Sequence, residues 1–201
     1  MQVKHLQPET RRIANLPPEE RLSYLKSDRW IGYTRAQSAL SEMSSLLEDQ
    51  PGRVRPQNML IIGPSNDGKS TIAEKFLRQN PSRVSEGGDH QVISVLSIQM
   101  PPDVTSGRFY SLFLDGLKSP VGQGSRLDRR TSITLDFMRT CEVRLLLIDA
   151  LHNLLCVSSS RQREILGLIR YLGNDLRIPI VALGTREAYM TPAIARFARR
   201  L

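Results

Sequence analysis

Apolar residues in this 201-residue chain come in short runs, separated by stretches where they recur at helical spacing. Four runs read as strands: about 58–62, containing Met59-Leu60-Ile61-Ile62, about 91–98, Val143 to Ile148, and about 179–183. Runs this short and continuous suit strands covered on both faces. Between them lie amphipathic stretches. Ala36, Ala39, Leu40, Met43 and Leu47 form one stripe, with Thr34 placed to cap its start. A helix is expected from Thr71 to about Gln79. Phe109, Leu112, Phe113 and Leu117 mark another at about 105–117, and a third covers about 126–140. Ile165, Leu168, Ile169 and Leu172 mark a long helix at about 160–175, and the residues after Glu187 read as helical and basic. Near the start, Pro17-Pro18-Glu19-Glu20 opens a short helix running to about Lys26, with proline in the first turn and acids at the positive end of the dipole. Residues 1–16 are polar and expected to be loosely ordered. Pro51 to Gln57, Pro81 to Asp89 and Lys118 to Ser125 read as loops. Strand–helix alternation of this kind predicts an α/β fold with a mainly parallel sheet between helical layers.

Ligands of such sheets bind at the carboxyl ends of the strands, and the first strand runs into Gly63-Pro64-Ser65-Asn66-Asp67-Gly68-Lys69-Ser70, followed by Thr71. This is a G-x-x-x-x-G-K-[ST] signature in its required strand–loop–helix setting. Gly63 and Gly68 let the backbone wrap closely, so amide N–H groups point at a phosphate, and the helix N-terminus adds positive charge. Lys69 is expected to neutralise β/γ oxygens and Ser70 to hold Mg²⁺. The apolar strand Leu145-Leu146-Leu147-Ile148 ends in Asp149, the expected second magnesium-side residue, unless the acid merely caps the following turn. The next position, where ATPases with this pattern place a water-polarising glutamate, is Ala150. Leu151, His152 and Asn153 follow, so no acid substitutes; His152 is the weaker alternative as a base, and slow or negligible turnover is expected. Thr185, after the last strand, is placed to bond a γ-phosphate or the attacking water, or to cap the next helix.

Lys plus Arg total 28 against 20 Asp plus Glu, a formal charge of +8. That excess suggests a polyanionic partner, nucleic acid first. Cys141 and Cys156 sit in no C-x-x-C and read as reduced thiols; His5, His90 and His152 have no metal-ligand spacing. No apolar stretch matches a bilayer and Met1 to Asn15 lacks an apolar signal core, so a cytoplasmic protein without a membrane partner is expected.

With these residues in place, the chain resembles the TniB transposition proteins, AAA+ ATPases related to TnsC-type regulators. The resemblance covers about residues 12 to 197. It rests on Asp28-Arg29-Trp30-Ile31-Gly32-Tyr33, the phosphate loop with Ile72 to Phe76, Gln99-Met100-Pro101, Arg108-Phe109-Tyr110, Leu145 to Leu155, Arg163 to Leu166, Arg170 to Pro179 and Gly184 to Ala188. It implies a P-loop three-layer sandwich over 28–201, a partly helical extension over 1–27, and ATP with Mg²⁺ as cofactors. It also implies assembly with ATP into an oligomer or filament on the backbone of double-stranded DNA, and recruitment or activation of a DDE transposase. By the same resemblance Trp30, Ile31 and Tyr33 lie near the adenine, and Arg108 and Lys118 meet DNA. Arg196 matches an arginine finger reaching a neighbouring subunit, where surface arginine is the plainer alternative. Relatives continue past the position of Leu201 into an edge strand and a helical lid, so a domain lacking its lid, with an exposed first strand, is expected. Two other readings stay open: a catalytically silent interaction module, and a replication-initiator or helicase-loader type ATPase.

Overall fold

A computed structural model of the chain describes residues 8–26, 30, 32–119 and 126–198. The chain divides into two compact units, 1–32 and 33–201, a boundary five residues beyond the expected one. In the first unit, residues 1–7 of the start expected to be loosely ordered lie outside the described residues, while Pro8–Ala14 forms a helix, α1, which proline opens and whose last turn carries Arg11 and Arg12 to complement the dipole. α2 (Pro18–Lys26) forms as expected, with Glu19 and Glu20 in its first turn and Lys26 in its last.

The second unit runs α3 (Thr34–Asp49), β1 (Met59–Ile62), α4 (Lys69–Gln79), β2 (Arg83–Val84), β3 (Gln91–Val92), β4 (Val95–Gln99), α5 (Ser106–Gly116) and α6 (Leu127–Thr140). It continues through β5 (Leu145–Asp149), a 3-10 turn (Leu151–Cys156), α7 (Ser159–Leu176), β6 (Ile180–Gly184), α8 (Arg186–Met190) and α9 (Pro192–Ala198). Tyr33, not Thr34, holds the N-cap position of α3, and no side chain caps it. Four strands form a parallel sheet in the order β1-β6-β5-β4. Successive strand residues face opposite layers. Leu146 and Ile148 of β5, with Leu96 and Ile98 of β4, enter a core with Phe109, Phe113, Ile165 and Ile169 from α5 and α7. Leu145 and Leu147, equally buried, point to the other face, where α4 packs on β5 and α3 on α4. The expected three-layer architecture results.

The apolar run at 91–98 is not one strand. β3 pairs with β2 in a small antiparallel hairpin, and β4 alone joins the sheet. The break falls at Ser94, whose carbonyl accepts from both Arg144 (2.9 Å) and Leu145 (3.0 Å), so the chain steps out of the ladder before β4 begins. β1 is an edge strand: β6 pairs one side, and among the described residues no strand pairs the other. Among the described residues no helix is long and apolar enough to cross a membrane.

Candidate nucleotide-binding site

Parallel register brings three strand ends together. Ile62 of β1 lies beside Gly184 of β6, and the Gly63 amide donates to the Gly184 carbonyl at 3.3 Å. β5, alongside β6, ends in Asp149. Above these ends lies a cavity of about 470 Å³ lined by Ser65 to Thr71, Asp149, His152, Leu183 and Thr185. The phosphate loop, Asp149 and Thr185 therefore converge as their sequence positions implied.

The loop turns by two left-handed residues, Asn66 (φ 62°) and Gly68 (φ 86°), the second forming the N-cap of α4. A Cβ at Gly63 would meet only the Asp67 carboxylate, the end of a flexible side chain. That contact reflects how Asp67 is folded back over the loop. The Lys69 ammonium donates to its carboxylate at 2.7 Å, to the Gly63 carbonyl at 2.9 Å and to the Pro64 carbonyl at 2.5 Å. All three ammonium protons are therefore committed within the loop. The lysine side chain is 11% exposed and that of Asp67 32%. Asp67 was expected as a nucleotide contact; its grip on Lys69 is a finding of the structure.

On the magnesium side, Ser70 Oγ donates to Asp149 Oδ2 at 2.8 Å, while Asp149 Oδ1 accepts the Ala150 amide at 2.6 Å. These adjacent hard oxygens suit Mg²⁺, which commonly takes one or two protein oxygens and completes its octahedron with water and phosphate. Among the described residues no cluster of three or more His, Cys, Asp or Glu exists to hold a metal by protein alone. The residues thus fit a metal that arrives with a nucleotide.

Ala150 adopts a left-handed conformation (φ 57°, ψ 38°), which costs an alanine about 1 kcal/mol. Its methyl group supplies no proton acceptor. His152 lines the cavity, and its Nδ1 is buried without a hydrogen-bond partner. Thr185 stands at the N-cap of α8, yet its side chain makes no cap bond. Its hydroxyl instead bonds the Glu187 carboxylate, and this bond, ahead of the backbone amide and the nearby Arg186 and His152, holds Glu187 below the usual carboxylate range. Glu187 was not foreseen; an acid two residues after a helix-capping threonine was the available signal.

Of the residues expected near the base, Tyr33 is at the loop, its hydroxyl 3.4 Å from the Asp67 carbonyl. Trp30 belongs to the first unit, and Ile31 lies outside the described residues. Arg196, on α9, is not among the cavity lining. Arg108, in the first turn of α5, is ion-paired to Asp103, whereas Lys118 is exposed just past the other end of that helix. They lie ten residues apart in sequence, at opposite ends of α5.

The sequence profile of the family described as bacterial TniB protein matches residues 21–197. No curated protein sequence matches the chain. Among solved structures, the chain is similar to the Aeropyrum pernix ORC1 protein in complex with DNA (TM-score 0.59, 16% identity, 84% of this chain and 44% of that one). It is also similar to the Aeropyrum pernix ORC2 protein in its ADPNP-ADP complexes (TM-score 0.57, 16% identity, 83% and 45%). Cdc6p from Pyrobaculum aerophilum is a third (TM-score 0.50, 15% identity, 86% and 46%). The chain spans less than half the length of each. At this identity the likeness shows the fold, that of P-loop AAA+ proteins.

Proposed function

The chain belongs to the bacterial TniB family, and from that premise we propose that it is an ATP-binding regulator of DNA transposition that engages target DNA and recruits or activates a DDE transposase. The observation that carries the nucleotide part is the meeting of Lys69, Ser70 and Asp149 at the carboxyl ends of β1 and β5, with Ser70 and Asp149 already 2.8 Å apart. In this reading the loop amides and the α4 N-terminus grip the β-phosphate. Lys69 leaves its loop partners for the β/γ oxygens. Ser70 and Asp149 hold Mg²⁺, which when bound neutralises phosphate charge. Thr185 faces the γ-phosphate, and Arg196 serves a nucleotide held by a second copy. The DNA part is supported by the formal charge of +8 and by the fold shared with an ORC1 protein solved with DNA. Contacts would be to the phosphate backbone, with Arg108 and Lys118 among them, and so salt-sensitive and sequence-tolerant.

Ala150 leaves the attacking water without a positioned base, an omission that lowers turnover by about 10²–10⁴-fold. ATP then acts as an assembly ligand more than as a fuel. Calorimetry with Mg·ATP and mobility shift on random duplex test the proposal. We expect saturable ATP binding, lost in Lys69→Ala, and duplex binding that strengthens with ATP and weakens with salt. A flat calorimetric trace for folded protein would remove the nucleotide reading. A second reading, a silent interaction module, is favoured by Ala150 together with the Asp67 grip on Lys69. It expects no nucleotide-dependent duplex binding in the same assay.

A further inference from the structure

β6 is buried along its whole length and ends at Gly184, so the next residue, Thr185, is delivered to the phosphate cavity with only 7% of its surface exposed. Two elements close on this strand end. A Cβ at Gly184 would stand 3.8 Å from Leu151 Cβ, 3.9 Å from Ala188 Cβ and 4.0 Å from the His152 amide nitrogen. The 3-10 turn after β5 and helix α8 therefore both pack against it, which fixes where the Thr185 side chain starts.

A threonine hydroxyl carries one proton. Here that proton goes to the Glu187 carboxylate and not to the α8 backbone, which no side chain caps. Glu187 lies below the usual carboxylate range, so it is ionised at neutral pH. A carboxylate and a γ-phosphate are both acceptors, and one proton cannot serve the two at once. A hydroxyl bond to the γ-phosphate must therefore break the bond to Glu187. A diphosphate makes no such demand. The released carboxylate is not stranded, because Glu187 is exposed to water and the charges of Arg186 and His152 reach it.

We propose that Glu187 is a positioning residue that sets how strongly the site prefers a triphosphate to a diphosphate, by holding the Thr185 hydroxyl that the γ-phosphate alone would use. The inference rests on the nucleotide reading above. It gives a role to the acid of Gly184-Thr185-Arg186-Glu187-Ala188, which the site otherwise leaves idle. It also differs in kind from the Asp67 grip on Lys69. Lys69 reaches β oxygens, which ADP carries too, whereas Thr185 faces the third phosphate only. Glutamine at position 187 keeps the shape and can still accept, yet a neutral acceptor holds a hydroxyl about half as strongly as a charged one.

The test is titration calorimetry of the full chain with Mg²⁺ and either ADP or the β,γ-imido analogue of ATP, which does not turn over during the measurement. Glu187→Gln should tighten the triphosphate by about three- to tenfold and change ADP by less than about twofold, so the ratio of the two affinities rises. In a Thr185→Val background, Glu187→Gln should leave the ratio where Thr185→Val alone puts it, since the shared proton is gone. An equal gain for both nucleotides would overturn the proposal by making Glu187 a charge acting at a distance. It is also overturned by a ratio that stays or falls in Glu187→Gln, or by the same rise without the Thr185 hydroxyl. Absence of binding by both nucleotides in the unsubstituted chain would remove the nucleotide reading and this inference with it, an outcome distinct from binding whose ratio ignores position 187.

Discussion

Asp67→Asn should tighten nucleotide binding. The Asp67 carboxylate holds the Lys69 ammonium at 2.7 Å, and two loop carbonyls take its remaining protons. A triphosphate must take the lysine from that carboxylate. Hydrogen bonds to a charged group contribute about 1.5–3 kcal/mol and neutral ones about 0.5–1.5 kcal/mol. Exchanging carboxylate for amide therefore weakens the internal competitor by about 1 kcal/mol, with some discount because the Asp67 side chain is 32% exposed. It also removes a negative charge from the mouth of a site meant for a polyanion. Together about 1–2 kcal/mol is released, or roughly 5–30-fold in Kd. Titration calorimetry with Mg·ATP at fixed ionic strength reads this directly. The same substitution in a Lys69→Ala background should have a much smaller effect, since the coupled partner is gone. Unchanged or weaker affinity in Asp67→Asn, or an equal gain without Lys69, would refute the idea that this pair guards the loop.

Other outcomes follow from the same geometry. Ala150→Glu should raise single-site ATP turnover by about 10²-fold or more by restoring a positioned carboxylate, measured by phosphate release; no increase would show that the slow step lies elsewhere. Ala150→Gly should stabilise the fold by about 0.5–1 kcal/mol in chemical denaturation, because the left-handed backbone at φ 57° strains alanine and not glycine. His90 is held above the ordinary histidine value, first by its hydrogen bond to Asp89 and then by Glu142. A raised folded-state value means that this contribution to stability is complete below the ordinary value and is lost as pH rises through the folded one. An NMR titration of His90 with a midpoint at or below the ordinary value would contradict it. Phe76→Ala, at a fully buried position on α4, should cost about 3–5 kcal/mol in urea unfolding, and a loss under about 1 kcal/mol would mean that this helix face is not part of the core.

What could be read from sequence divides along a physical line. The sheet strands were legible where burial on both faces makes every position apolar, as in β5. The phosphate loop was legible because its residues are contiguous and its turns demand glycine. The β2–β3 hairpin was not, because two exposed residues in β2 carry no periodic signal. The break at Ser94 was invisible for another reason: the run is apolar throughout, and the interruption is made by tertiary bonds from Arg144 and Leu145. α1 is seven residues long without an apolar stripe. The 3-10 turn after β5 buries Leu151 and Leu154, the i, i+3 spacing that such a turn eclipses. Within the site, Lys69, Ser70 and Asp149 came together as their positions implied. The Asp67 grip on Lys69 and the Thr185–Glu187 bond depend on rotamers that no motif specifies.

The candidate site meets the needs of its own charged and polar groups from within the loop. Buried or half-buried polar groups need partners, and here the loop supplies stand-ins. Asp67 takes the role of a phosphate toward Lys69, and the Ser70 proton sits on Asp149 where a shared metal would bridge the two oxygens. Asp149 is further fixed by the Ala150 amide, so its carboxylate is already aimed. Ligand entry is then an exchange of partners rather than a gain of them, and its hydrogen-bond terms largely cancel. The net affinity has to come from what the stand-ins leave unused: the first-turn amides of α4 beyond Lys69, whose own amide donates to Asp67 Oδ1 at 3.4 Å, and the dipole behind them. That places the affinity of the site in backbone geometry, fixed by the left-handed turns at Asn66 and Gly68, and leaves the side chains to set how strongly the loop's own contacts compete. A single carboxylate at position 67 is enough to move that balance, since it is the charged partner that any phosphate must displace from Lys69.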